Sequence, residues 1–263
     1  MIIRFTDLLR DLARGGLAGV IAGVVVGGLG GRVVMTAAAL LNPDAAGMRT
    51  DNGELIGAFT ANGTLALVIF GGLFGGIAAG ICWAILSPWV PGSGWRRAVL
   101  VGPLAMAIGG SFLVRGDNTD FAILEGDALI LALLLGLVVL IGISVARLDD
   151  LFERRLPRPA QGRFGLTLAY GLVALAGLLF LPLTIGFFFS VAACDCSSPP
   201  IYVGWALVVV AAITVLWWAV RLATGRSDPG RGLVRAGRLG VAGAAIAGVF
   251  HLIPQLVQIL RFA

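Results

Sequence analysis

Seven apolar runs divide the chain, near residues 15–40, 62–86, 98–114, 127–147, 164–192, 201–222 and 239–260, with short polar connections between them. Each is close to the ~20 residues that an α-helix needs to cross about 30 Å of hydrocarbon. Only helices and closed barrels satisfy their own backbone polar groups in lipid. The pattern therefore predicts an all-α, polytopic membrane helical bundle of about seven transmembrane helices, in a single domain covering 1–263. The run that begins near Gly15 is too long for the core of a signal peptide, about 7–15 residues, so it counts as a span.

Within these runs small residues recur at helical spacing. Gly15, Gly19, Gly23, Gly27 and Gly31 follow every fourth residue through the first span. On a helix they form a groove almost bare of side chains. In water such a helix is poor, because each glycine costs about 1 kcal/mol relative to alanine. In lipid the same groove lets a second helix approach closely. Gly72, Gly76 and Gly80 in the second span, and Gly240 and Gly248 in the seventh, offer matching faces. Spans one, two and seven are thus expected to form the centre. The fourth span is Leu-rich nearly all round and is expected to face lipid, and Pro182 followed by Phe187, Phe188 and Phe189 predicts a kink or strong tilt in the fifth.

Charge orders these spans. All 19 basic residues are Arg, and 15 of them precede the first span or lie in the connections 87–97, 147–163 and 221–238. The alternate connections hold Arg49 and Arg115 beside eight acids. The positive-inside rule then predicts a cytoplasmic N-terminus and an outer C-terminus in a plasma or inner membrane. An even number of spans would break the alternation. Trp83, Trp89, Trp95, Trp217 and Trp218 fall at the Arg-rich ends and Trp205 at the opposite end, where interfacial anchors are expected.

Composition removes several function classes. Charged residues make up 13% and hydrophobic residues 59% of the chain, against about 25% charged in soluble domains. No soluble portion remains to carry a nucleic-acid groove, so the net charge of +5 belongs to topology. Without Lys there is no Schiff-base chemistry, and a retinal-type pigment is excluded. One His and three Cys cannot supply a two-His haem or an ordinary four-ligand zinc site. Neither metal nor cofactor is expected. No Asp or Glu lies in the core of a span, which argues against a carrier built on a buried carboxylate.

Few polar residues remain that could carry chemistry. Arg32 sits inside the first run, roughly 27 Å of helix beyond Arg14. It suits a contact with a substrate anion or lipid headgroup, or else it snorkels to an outer acid such as Asp117 or Asp120. His251, Gln255 and Gln258 share one face of the last span beside Pro254. That face either lines a path for a solute or lipid or pins the helix by interhelical hydrogen bonds. Ser111 lies at a depth similar to His251, as a serine hydrolase would need, but no acid accompanies them and Phe112 replaces the expected glycine; no enzyme is expected. Cys194 and Cys196, outside the cytoplasm where a disulfide is permitted, are either a loop staple or free thiols, with a redox or copper-binding pair as the alternative, and Cys82 reads as a small core residue. Asp51-Asn52-Gly53-Glu54 and Asp117-Asn118-Thr119-Asp120 form a faint repeat, either divalent-ion ligands or solvated turns without calcium-loop spacing.

The expected role is a non-catalytic subunit or scaffold, packing through glycine-rich helices against other membrane protein subunits within the lipid bilayer. The alternatives are a channel or carrier for a small solute or lipid, and an intramembrane enzyme.

Overall fold

Peptide groups in lipid have no water to bond, and the chain satisfies them almost entirely within helices. A computed structural model describes residues 2–45, 47–50, 55, 56, 58, 60–124, 128–158, 164–194, 196–226 and 228–261. Among them are seven helices long and apolar enough to cross a membrane. The first, α1, joins Ile2–Ala22, a π-helical segment Gly23–Leu29, and Gly30–Leu41. The second, α2, has the same plan: Ala61–Ala66, π-helical Leu67–Phe74, then Gly75–Leu86. There follow α3 (Gly94–Leu113), α4 (Ala128–Arg155), α5 (Phe164–Phe189), α6 (Ile201–Thr224) and α7 (Gly230–Ile259). The protein is a multi-pass membrane protein with a helical bundle fold.

The middle of the glycine ladder is where backbone meets backbone. A Cβ on Gly19 would overlap the Gly76 carbonyl and the Gly80 backbone, and one on Gly23 would overlap the Gly72 carbonyl and the Gly76 Cα. At the ends of the ladder the demand relaxes. Added Cβ atoms would sit 3.6 Å from Ala84 at Gly15, 3.4 Å from the Ile141 side chain at Gly27 and 3.4 Å from that of Leu67 at Gly31. The two π-helical segments lie against each other just beyond this crossing. Their i→i+5 bonding widens each helix there, a rare geometry that usually accompanies a functional or strained position.

Two expectations about layout are corrected. The seventh helix does not join the first two; α7 packs chiefly on α6 and α3. Its Gly248 faces the Ala107 carbonyl so closely that a Cβ would overlap it, and a Cβ on Gly240 would come 2.7 Å from Val210. The fourth helix is not a lipid-facing rim, because α3 and α4 form the most extensive helix pair and α4 also packs on α1. What distinguishes its two sides is residue size: Val138, Gly142, Val145 and Ala146 are buried while Leu133 and Leu140 are exposed. The most lipid-exposed helix is α5, which continues through Pro182 to Phe189.

Three of the tryptophans expected as interfacial anchors are instead interior. Trp83, Trp89 and Trp217 are buried, whereas Trp95 and Trp205 are exposed. The Trp89 indole N–H donates to Thr214 Oγ1 (2.8 Å), and that hydroxyl lies 2.8 Å from the Ile85 and Val210 carbonyls. A buried indole needs such a partner, and Thr214 on α6 supplies it. Sequence position put these rings at the right level and gave no information about which way they turn.

At the Arg-rich end the helices also overrun their apolar runs. α1 starts at Ile2, α4 continues to Arg155 and α7 begins at Gly230. The extensions of α1 and α4 pack on one another and build a charged layer that a hydropathy reading assigns to loops.

Candidate functional site

The polar face of α7 meets the connection after α3 at the Arg-poor end. Gly116 N–H donates to Gln255 Oε1 (2.7 Å), and Gln258 covers Gly116 so tightly that a Cβ there would come within 2.7 Å of its Cδ. His251 and Gln255 border a small cavity together with Ser111, Arg115, Asp117 and Cys196, with a volume of about 10 Å³. That is near the minimum for one water and too little for a substrate. The Ser111 hydroxyl donates to the Ile108 carbonyl (2.7 Å), a bond within its own helix. Gln255 and Gln258 thus tie α7 to the connection after α3.

The neighbouring loop is tied to the same place. Cys194 and Cys196 are joined by a disulfide. Arg115 Nη1 donates to the Cys194 carbonyl (3.2 Å), and Asp117 Oδ2 accepts from Ser197 N (2.6 Å). Asn118 Oδ1 accepts from Asp120 N (2.8 Å), so the second Asp-Asn-x-acid motif is a turn that starts the short helix Thr119–Ile123. The first motif, at positions 51–54, lies outside the described residues. Partial burial alone would raise the Asp117 pKa, but the Ser197 backbone N–H and hydroxyl, with Arg115, outweigh it and hold the carboxyl below its usual range. A depressed folded-state pKa stabilises the fold above the unfolded value and ceases to do so as pH falls through the folded one. Loosening of the 194–198 loop in hydrogen exchange is therefore expected only below the ordinary carboxylate range. In Asp117→Asn it should already be loose at neutral pH; equal protection at both pH values would refute the tie.

Arg32 belongs to neither group. Its Nη2 donates to the Ala58 carbonyl (3.0 Å), linking α1 to the segment that leads into α2. The structure thus brings His251, Gln255 and Gln258 together with the Cys194–Cys196 loop and leaves Arg32 on another pair of helices.

Two features at the other end and in the centre were not singled out from sequence. The first is a charge cluster on Asp149, whose side chain is 1% exposed. Arg14 Nε lies 2.6 Å from Asp149 Oδ1, and Arg97 Nη1 lies 3.4 Å from Asp149 Oδ2 and 3.5 Å from Asp150 Oδ1. Gly94 N–H donates to Asp150 Oδ2 (2.8 Å), Arg97 Nη2 donates to the Ser87 carbonyl (2.6 Å), and the Arg97 guanidinium stacks 4.7 Å from the Trp83 ring centre. Arg10 Nη2 donates to the Glu153 (2.7 Å) and Leu156 (3.1 Å) carbonyls at the end of α4, where the helix dipole favours a cation. An Asp pair inside an Arg-rich connection was the available signal.

The second is a partly open apolar cavity of about 130 Å³ lined mainly by α2, α3 and α4, with Gly23 of α1 and Phe188 of α5 at its edge. The π-helical segments contribute Gly23 and Gly71, α2 adds Gly75 and Ala79, and Val138 and Phe112 come from α4 and α3. Trp83, beneath Arg97, forms part of the wall, so the charged cluster lies behind the cavity lining. No run of polar side chains enters it.

The chain matches no protein-family model, and no curated protein or solved structure matches it.

Proposed function

We propose that the protein holds and carries an apolar, lipid-like ligand within the membrane, with its Arg-rich end in the cytoplasm. The observation that carries this reading is the central apolar cavity, which the two paired π-helical segments border at Gly23 and Gly71. A void of about 130 Å³ left empty costs on the order of 3 kcal/mol at about 24 cal/mol per Å³. A hydrocarbon occupant recovers that cost, and a polar solute or ion would find nothing to replace its hydration shell. The cavity is the size for part of a chain or a small ring, since engineered cavities near 150 Å³ take up benzene. Charge placement supports the orientation through the positive-inside rule.

Gly75 provides the test. It borders the cavity, and a Cβ added there meets no atom within 4 Å. Gly75→Leu is expected to fold, with about 1 kcal/mol gained in helix propensity, and to lose the apolar molecule that copurifies with the wild-type protein in gentle detergent. Mass spectrometry of the extracted lipids reads the result. The same molecule bound at wild-type stoichiometry would refute the proposal.

The subunit reading has one supporting observation, that α7 keeps Gly243 open with no atom within 4 Å of an added Cβ. It predicts stoichiometric protein partners after gentle extraction, where a carrier is recovered as a lone chain with lipid. The α1 groove does not support it, because α2 fills that groove.

A further inference from the structure

A second apolar space lies outside the central cavity, on the other side of α3. It is a groove of about 720 Å³ between α3 and α7, lined by Pro103, Met106 and Ala107 on one side and Val241, Ala245 and Val249 on the other. Its deep end is closed where Gly248 touches the Ala107 carbonyl, and its floor at the shallow end is the Trp89 ring, against which Gly237 packs. The groove runs along α7 from Arg238 to Phe250, about 18 Å at 1.5 Å per residue. That is close to one leaflet, half of the roughly 30 Å hydrocarbon core.

Charge lies only at the shallow end. Arg238 lines the rim and is the last charge before the apolar part of α7. Arg231 and Arg235, seven and three residues earlier, are exposed on the same stretch of helix. Among the described residues no carboxylate stands within ion-pair distance of these three. By contrast Arg10, Arg14, Arg97 and Arg221 at the same end of the bundle are all committed to carboxylates or carbonyls.

We propose that this groove is a binding site for an anionic phospholipid of the Arg-rich-side leaflet, one acyl chain lying between α3 and α7 and the phosphate on Arg238. Length, apolar lining and the uncompensated guanidinium each match one part of that molecule. A free phosphate matches only the rim, and a zwitterionic lipid adds a choline cation beside the exposed Arg231, Arg235 and Arg238 that offsets the attraction of its phosphate. The site is separate from the central cavity and does not depend on what that cavity holds.

The test is native mass spectrometry of the full chain titrated with phosphatidylglycerol or phosphatidylcholine of equal chain length. The wild-type protein should retain phosphatidylglycerol preferentially. Arg238→Gln should weaken that retention about fivefold, as loss of one interfacial Arg implies, with a smaller fall for phosphatidylcholine, so that the preference for phosphatidylglycerol narrows. Ala242→Phe, at an exposed position in the groove, should lower both. Arg226→Gln, exposed at the same end but outside the groove, should change neither. Inorganic phosphate at millimolar concentration should not compete. No headgroup preference in the wild-type protein, an unchanged preference in Arg238→Gln, or an equal fall in Arg226→Gln would overturn the proposal. Gly75→Leu should leave phosphatidylglycerol retention intact, so a negative result at the central cavity does not carry over to this site.

Discussion

Gly23→Leu is expected to yield no stable, monodisperse chain in detergent. The added Cβ alone would occupy the position of the Gly72 carbonyl and the Gly76 Cα, and main-chain atoms cannot turn aside as a side chain can. Overpacking of side chains typically costs about 1–3 kcal/mol; prying two backbones apart should exceed that range. Gly75→Leu, next to Gly76 on α2 but on an open side of the helix, introduces the same side chain into open space and serves as the control. Size-exclusion profiles and thermal melts of the two variants should diverge. If Gly23→Leu instead gave a stable chain with an altered oligomeric state, the groove would serve association between copies, and the pairing of α1 with α2 would be wrong.

Asp149→Ala ranks second. Asp149 is 1% exposed and faces Arg14 and Arg97, whose side chains are only 13% and 11% exposed. Removing the carboxylate leaves two buried guanidiniums with much of their charge uncompensated, a change that costs about 3–5 kcal/mol when a buried pair is broken. α1, α3 and α4 would lose their common fastener at the Arg-rich end, and the Trp83 wall of the central cavity would lose the support of Arg97. A drop in melting temperature is expected, with faster proteolysis near 87–97. Arg221→Gln should do far less, because the Arg221–Asp11 pair is 29% exposed on both sides and exposed pairs are worth about 0–1 kcal/mol. Similar effects from both substitutions would show that the Asp149 cluster is solvated and does not fasten the helices.

These two expectations were legible in the sequence to different degrees. The glycine ladder announced a close helix contact, and Gly19 and Gly23 make one. Both α2 and α7 were expected against it and only α2 is there, because spacing describes one helix face and not the helix opposite. The Asp149 cluster escaped a hydropathy reading altogether. Asp149 and Asp150 stand after the last apolar residues of the fourth run, where charge normally signals solvent, and only the overrun of α1 and α4 past the apolar boundary buries them. His251, Gln255 and Gln258 were visible as the most polar face of any span. Their distance from Arg32, and the bonding of Gln255 to Gly116, required the packed bundle.

What the sequence determines by itself is the solvent and the number of crossings. Seven apolar runs and alternating Arg-rich connections specify seven membrane helices, since lipid leaves the backbone no other way to bond and Arg resists translocation. The tertiary structure decides everything that depends on which faces touch. It turns Trp83, Trp89 and Trp217 inward, draws α4 into the centre while α7 packs on α3 and α6, and opens an apolar cavity beside the π-helical segments. The physical reason is that lipid tails are as apolar as leucine. Hydrophobicity drives each helix into the membrane but cannot rank its partners there, so close packing, a few hydrogen bonds and the charged layer at one end make the choice.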